Sequence, residues 1–286
     1  MENTTSLSAI SRLMKDYKLM PRKKWGQNFL VDSNIIKKIV NSAPITEEDY
    51  IVEIGPGLGA LTCELASKSR GVMAVDIDTS LKEPLEKILE GYNNTRVVFE
   101  DILKLDIENE LARVFNLENI PPYKVCANIP YNITTPIIFK LLEESSHMIS
   151  ATLMMQKEVA ERILAKPGNK DYGLLTLMVR YYGEAEFLLN VSRNCFYPRP
   201  EVDSTVIRIT PLAEKRVKVK DEQKFKEFIK KAFQMRRKTI LNIASFFFKV
   251  DKETARNELL KISILPDKRP EDLTIEQFAL IADVLS

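Results

Sequence analysis

Histidine occurs once, at position 147, and cysteine three times, at positions 63, 126 and 195, in a chain of 286 residues. The cysteines are odd in number, widely spaced and never in C-x-x-C order. They therefore supply neither a disulfide framework nor a cysteine metal site, and a reducing, cytosolic setting is expected. His147 lies outside every motif described below and reads as a surface or packing residue. No stretch approaches the roughly 18 uninterrupted apolar residues of a spanning helix. Residues 1–20 also lack the apolar core and small-residue cleavage site of a signal peptide, so no membrane association is expected. Internal repeats and low-complexity tracts are absent too, and the net charge is only +2.

What is present is apolar material and a strong separation of charge. Hydrophobic residues make up 45% and charged residues 29%, enough for a sizeable core in one large or two unequal domains. Residues 1–38 carry 8 Lys/Arg against 3 Asp/Glu, and residues 212–250 carry 12 against 4. The block 39–211 carries 17 against 25, and 251–286 carries 5 against 8. Two basic segments flanking an acidic body are the pattern of a polyanion-binding enzyme, provided both segments meet at one rim.

Short apolar runs alternate with helical patterns between Asp49 and Phe99: Tyr50 to Ile54, Leu61 to Ala66, Gly71 to Val75, Leu81 to Leu89, and Arg96 to Phe99. That alternation predicts β-α-β units and a parallel sheet. Tyr123 to Ala127 and Ala151 to Met155 extend it, with a helix around Pro136 to Glu144 between them. Phe187 to Val191 and Val206 to Thr210 read as an antiparallel closing hairpin, making about seven strands. Beyond Pro211 the pattern changes: Phe225, Phe228, Ile229, Ala232 and Phe233 recur at helical spacing, and Leu259 to Ile264 and Ile275 to Leu285 read as helices. The expected organisation is α/β. A basic N-terminal arm (1–38) precedes a Rossmann-like α/β domain (39–211) with a mostly parallel sheet, and a small helical domain (212–286) follows.

The chemistry is read from the strand ends. Glu53-Ile54-Gly55-Pro56-Gly57-Leu58-Gly59 sits between a strand and a helix, where missing side chains let the backbone approach a ligand. Its G-x-G-x-G spacing is shorter than a dinucleotide fingerprint, and the upstream Glu53 suits a cationic or zwitterionic ligand better than a diphosphate. Asp76 closes the second strand and Asp101 follows the third. In an open parallel sheet both point into the crevice, where Asp76 can accept ribose hydroxyls and Asp101 an adenine amine. Asn128-Ile129-Pro130-Tyr131 ends the fourth strand. The exocyclic amine of a purine is a poor nucleophile because its lone pair is delocalised into the ring. The Asn128 side-chain oxygen and the Pro130 carbonyl together can hold its two hydrogens and aim the nitrogen at an activated methyl group. Tyr131 is placed to stack on the base.

Over nearly its full length the chain resembles the bacterial small-subunit ribosomal RNA adenine dimethyltransferases. The resemblance rests on the motifs above and on Lys23-Lys24-Trp25-Gly26-Gln27-Asn28-Phe29-Leu30, Met155-Gln156-Lys157-Glu158-Val159-Ala160, Phe196-Tyr197-Pro198-Arg199-Pro200-Glu201-Val202-Asp203-Ser204 and Phe233-Gln234-Met235-Arg236-Arg237-Lys238-Thr239. It implies a class I methyltransferase fold, S-adenosylmethionine as cofactor and no metal. It also implies dimethylation of two adjacent adenines in a loop near the 3′ end of 16S rRNA in the 30S subunit or its precursor, and a part in subunit maturation. Gln27, Asn28 and Leu30 are then expected on the cofactor with Glu53, Gly55, Gly57, Gly59, Asp76, Ile77, Asp101, Ile102 and Asn128. Phe196 is expected as a second aromatic wall opposite Tyr131. Arg22, Lys23, Lys24, Arg236, Arg237 and Lys238 are expected on RNA phosphates, the last three in a helical RNA-binding domain. The family usually carries Glu where this chain has Asp76, which implies tuned rather than lost cofactor affinity. Two alternatives are a large-subunit (23S) adenine dimethyltransferase and a non-catalytic ribosome-assembly factor. Against the first stand Arg236 to Thr239 and Lys268-Arg269-Pro270-Glu271, which look like the small-subunit type. A monomer suffices for all of these readings.

Overall fold

The computed structural model describes residues 7–22 and 26–286. The chain divides into two compact units, Met1–Ala160 with Ala185–Pro211, and Glu161–Glu184 with Leu212–Ser286.

The first unit begins with α1 (Leu7–Asp16), which buries Ile10, Leu13 and Met14 in a cluster with Phe29, Leu58, Leu81 and Leu85. The N-terminal arm is thus partly a docked amphipathic helix. A two-residue strand, β1 (Phe29–Leu30), leads into α2 (Ser33–Ser42), whose N-terminus is capped by the Asp32 carboxylate accepting from the amides of Asn34 and Ile35. Then come β2 (Tyr50–Ile54), α3 (Ala60–Ala66), β3 (Gly71–Asp76), α4 (Lys82–Leu89), β4 (Thr95–Phe99), α5 (Ile107–Val114), β5 (Tyr123–Asn128), α6 (Thr134–Glu144) and β6 (Met148–Gln156). Every residue of β2 is buried, as it must be in a parallel sheet covered on both faces, and this is why the strand reads as one apolar run.

The seven-stranded sheet has the order β4-β3-β2-β5-β6-β9-β7, with β7 (Gly183–Val191) at the edge and β9 (Ser204–Pro211) antiparallel to β6. Strands β2 to β6 are mutually parallel. After β2 the chain winds outward through β3 and β4, and then returns to place β5 on the other side of β2. That reversal opens a crevice at the carboxyl ends of β2 and β5. A second, two-stranded sheet pairs β1 with β8 (Phe196–Tyr197), Phe29 opposite Tyr197 and Leu30 opposite Phe196. Two-residue strands carry no periodicity, and the sequence offers no sign of this one.

α7 (Lys157–Leu164) carries the chain out of the first unit. The second unit is helical: α8 (Leu174–Tyr182), α9 (Glu222–Gln234), α10 (Ile240–Phe248), α11 (Lys252–Lys261) and α12 (Ile275–Leu285). Its core joins Phe225, Phe228, Ile229 and Ala232, spaced as expected on α9, to Ile243, Leu259, Phe278 and Ile281. Tyr172, Leu177 and Tyr181 complete it. Residues 161–184 therefore belong with the helices, although the sequence reading kept them in the 39–211 domain. The reason is packing: α8 supplies a wall of the second core. Among the described residues no helix is long and apolar enough to cross a membrane, and all three cysteines are free.

Phe228 meets the rings of Phe247, Phe248 and Phe278 at centroid separations of 5.4, 4.9 and 5.7 Å. Phe228→Ala is expected to destabilise the protein by about 3–5 kcal/mol, read as a lowered urea midpoint.

Candidate active site

The glycine loop needs its glycines for different reasons. Gly55, Gly57 and Gly59 all have positive φ (72°, 57° and 73°), a region that other residues enter at a cost. At Gly57 there is also no room, since a Cβ would lie 2.8 Å from the Phe29 ring. At Gly59, the N-cap position of α3, a Cβ would press on Leu85 of α4, so this glycine serves helix packing.

One cavity gathers the strand ends. Gly55 and Gly57 line it after β2, Asp76 at the end of β3 and Ile77 beyond it, Asp101 and Ile102 after β4, Asn128 at the end of β5 and Pro130 and Tyr131 beyond it, with Gln27 and Asn28 on the N-terminal side. Of the other residues expected there, Glu53 and Leu30 line a smaller neighbouring cavity that shares Asn28, Phe29, Gly55, Gly57 and Asn128 with this one, and Gly59 and Phe196 line neither. Gly59 is in the helix packing just described. Glu53 is 1% exposed behind the loop. Leu30 and Phe196 face each other across the β1–β8 ladder, buried in the core with Ile36, Ile39 and Val206. Alternation along the ladder turns Phe196 inward, 3% exposed, while Tyr197 is 39% exposed. The structure thus places the expected second aromatic wall in the core.

Hydrogen bonds set the polarity of the cleft. Asn128 Nδ2 donates to the Asn28 carbonyl at 3.1 Å, which fixes the amide orientation. Its Oδ1 is buried with no hydrogen-bond partner among the described residues. The Pro130 carbonyl accepts from Ile133 N at 3.2 Å, and the single Thr134 hydroxyl hydrogen is shared between it at 3.2 Å and the Tyr131 carbonyl at 3.3 Å. The Pro130 carbonyl, expected from the sequence to face the amine, is thus taken up at the start of α6, which only the turn decides. Ile129 also lines the cavity, its amide donating to the Met154 carbonyl at 3.0 Å. Tyr131 Oη lies 2.6 Å from Ser204 Oγ, and burial raises its pKa, so the ring is held as a neutral phenol.

Carboxylates dominate the electrostatics. Burial, reinforced by the neighbouring Asp78, pushes Asp76 up to about 6, against the pull of the Asp78 amide on its Oδ1 at 2.8 Å. Burial pushes Glu53 to about 8, and its Oε2 has no partner among the described residues. Asp101 Oδ1 accepts from Leu103 N at 3.0 Å. Asp78 itself, which sequence reasoning missed, is 2% exposed and accepts from Gln27 Nε2 at 2.9 Å. Its position two residues after Asp76 was the available signal.

The basic residues separate into engaged and available. Arg22 is 3.7 Å from Asp78 and so ties the arm down. Lys23 and Lys24 lie outside the described residues. Arg236 Nη2 donates to the Lys170 carbonyl at 2.8 Å, and its Nε lies 3.8 Å from Glu271, so this arginine braces the helical unit. Arg237 and Lys238 are exposed. His147 Nδ1 lies 2.9 Å from Glu108, away from the cavity.

A mostly parallel seven-stranded sheet with the cleft at its switch point, a glycine loop and acids on adjacent strand ends defines a class I methyltransferase, which uses S-adenosylmethionine. A family model described as ribosomal RNA adenine dimethylase matches residues 19–286, and the chain belongs to that family. It is similar to the ribosomal RNA small subunit methyltransferase A of Moorella thermoacetica, 45% identical over 276 residues, or 96% of this chain and 95% of that protein. The protein of the same name from Alkaliphilus oremlandii is 42% identical over 287 residues, covering 100% and 99%. Among solved structures, a dimethyladenosine transferase from Plasmodium falciparum superposes with a TM-score of 0.71 at 28% identity, covering 87% of this chain and 94% of that one. The 23S rRNA methyltransferase ErmE superposes with a TM-score of 0.68 at 28% identity, covering 90% and 99%.

The sign of one pH effect follows from Glu53. The native state holds its proton up to about pH 8, whereas the unfolded chain releases it near 4.5, so its contribution is full below 4.5 and is lost as pH rises through 8. Glu53→Gln is expected to gain stability over the parent across that window and to level off above it, measured by urea unfolding at pH 5, 7 and 9.

Proposed function

We propose that the chain transfers methyl groups from S-adenosylmethionine to N6 of adenine in small-subunit ribosomal RNA. On this reading it dimethylates two adjacent adenines in a loop near the 3′ end of 16S rRNA, acting in the cytoplasm as a monomer on the 30S subunit or its precursor. The observation that carries the reading is the buried, unpartnered Oδ1 of Asn128 at the end of β5. A buried acceptor without a donor is costly and rare, and an amine substrate supplies the donor.

The donor set fits the cofactor. Asp76 is placed to accept ribose hydroxyls and Asp101 an adenine amine, Ile77 and Ile102 offer apolar faces to the purine, and Gly55 and Gly57 leave the floor free of side chains. When bound, S-adenosylmethionine supplies an electrophilic methyl on a sulfonium and leaves as a neutral thioether. The protein's task is then positioning. Asn128 Oδ1 accepts a hydrogen of the adenine amine, which draws the nitrogen lone pair out of ring conjugation and orients it. Tyr131, steadied by Ser204, stacks on a base delivered out of its loop. Arg237 and Lys238 hold phosphates, as Lys23 and Lys24 do on the N-terminal arm. Relatives at 41–45% identity carry small-subunit names, which favours that substrate over the large subunit.

Labelled methyl transfer to purified, unmodified small and large subunits, with nucleoside mass analysis, tests the reading. Dimethyladenosine in the small subunit alone is expected, and transfer to the large subunit or to no RNA overturns it. Asn128→Ala is expected to lower kcat by about 10²–10³-fold, the effect of losing one preorganised polar contact to the reacting group. Replacing Arg237 and Lys238 together by Ala is expected to reduce the salt slope of subunit binding by about two, one per lost phosphate contact, in a salt titration.

A further inference from the structure

We propose that Asp78 is a positioning residue for the transfer, setting the orientation of the Asn128 amide through the N-terminal strap, residues 26–30; this rests on the functional reading above. An asparagine amide has two faces of nearly equal shape, and only its neighbours decide which end carries the acceptor. For Asn128 that neighbour is the Asn28 carbonyl, which admits Nδ2 and thereby leaves Oδ1 for the substrate amine. The catalytic acceptor therefore depends on where the strap holds Asn28.

The strap is pinned at two ends. On the C-terminal side, Phe29 and Leu30 pair with Tyr197 and Phe196, and Val31 N donates to the Cys195 carbonyl at 2.8 Å. On the N-terminal side, Gln27 Nε2 donates to Asp78 Oδ2 at 2.9 Å, and Gln27 Oε1 accepts from Arg22 N at 2.8 Å. Both ends of the Gln27 amide are thus taken by protein, and Arg22 Nη1 adds charge 3.7 Å from Asp78 Oδ1. Asp78 divides its oxygens between two jobs. Oδ1 caps the following turn, accepting from Ser80 N at 3.1 Å and Ser80 Oγ at 2.6 Å, while Oδ2 holds the strap.

That division makes the latch separable from the cap. Asp78→Asn keeps an oxygen for Ser80 and turns an NH₂ toward the NH₂ of Gln27, so two donors face each other. Gln27→Glu leaves Asp78 intact and sets carboxylate against carboxylate. The double substitution restores one hydrogen bond with reversed polarity, the introduced amide donating to the introduced carboxylate, at unchanged net charge.

The experiment measures hydrogen exchange of amides 26–31 in the free protein, and kcat and KM for small-subunit methylation, in the parent, both single variants and the double variant. Each single variant is expected to exchange faster across the strap. Each is also expected to lose about tenfold to a hundredfold in kcat, the penalty of a misplaced reacting group, with KM for the subunit much less affected. The double variant is expected to recover both. The proposal is overturned if the singles keep parental kcat, if exchange rises while kcat does not change, or if the double variant is no better than the worse single. Should Asp78→Asn fail to fold, as read by thermal unfolding, Gln27→Glu at a partly exposed position decides the matter alone. A parent protein that methylates no adenine overturns the functional reading and the catalytic half of this one, while the exchange data still decide whether Asp78 holds the strap.

Discussion

The Phe29 ring occupies the space that a Cβ on Gly57 would need, and the mouth of the cleft is organised around that contact. A side chain at position 57 would meet both a left-handed backbone and a filled space. The glycine loop is therefore shaped by what packs on it as well as by what binds in it. Phe29 belongs at once to β1, to the cluster under α1 and to the cavity wall. Through it the N-terminal strap, the loop after β2 and the β1–β8 ladder become one object, and Asn28 is carried to within hydrogen-bond reach of Asn128.

The second constraint is electrostatic. Glu53, Asp76 and Asp101 face the floor of the crevice or sit just behind it, and burial holds Glu53 and Asp76 well above the usual carboxylate range. Such a crevice accepts hydroxyl and amine donors, and Glu53, still protonated at pH 7, adds no charge to it. The cations lie elsewhere and differ in duty. Arg22 and Arg236 spend their charge inside the protein, whereas Arg237 and Lys238 are open to solvent. Counting lysines and arginines along the chain cannot separate these groups, because pairing is a property of neighbours in space.

The legible parts of the fold and site were those whose physics is local. Each of the seven strands of the main sheet was visible at least in part as an apolar run; the central ones are covered on both faces and must be apolar, whereas the edge strands β4 and β7 are only partly buried and show shorter runs, and the α9 core positions followed from helical spacing. The glycine loop, the strand-end acids and Asn128 were legible because a backbone needing positive φ, or a strand-end polar group, leaves its mark on residue type. Less was visible where two remote segments define each other. The β1–β8 ladder is two residues long, Phe196 turned inward only through its register with Leu30, and α8 joined the helical core because of what it packs against.

By itself, then, the sequence determined the class of fold, the family and the residues that end at the crevice, since each is written in local pattern or motif. Tertiary structure alone decided that the start of α6 takes up the Pro130 carbonyl, which arginines are already paired, where residues 161–184 belong and what Asp78 holds. Those are questions of which donor finds which acceptor, and a hydrogen bond between residues 51 or 100 positions apart exists only once the chain has folded.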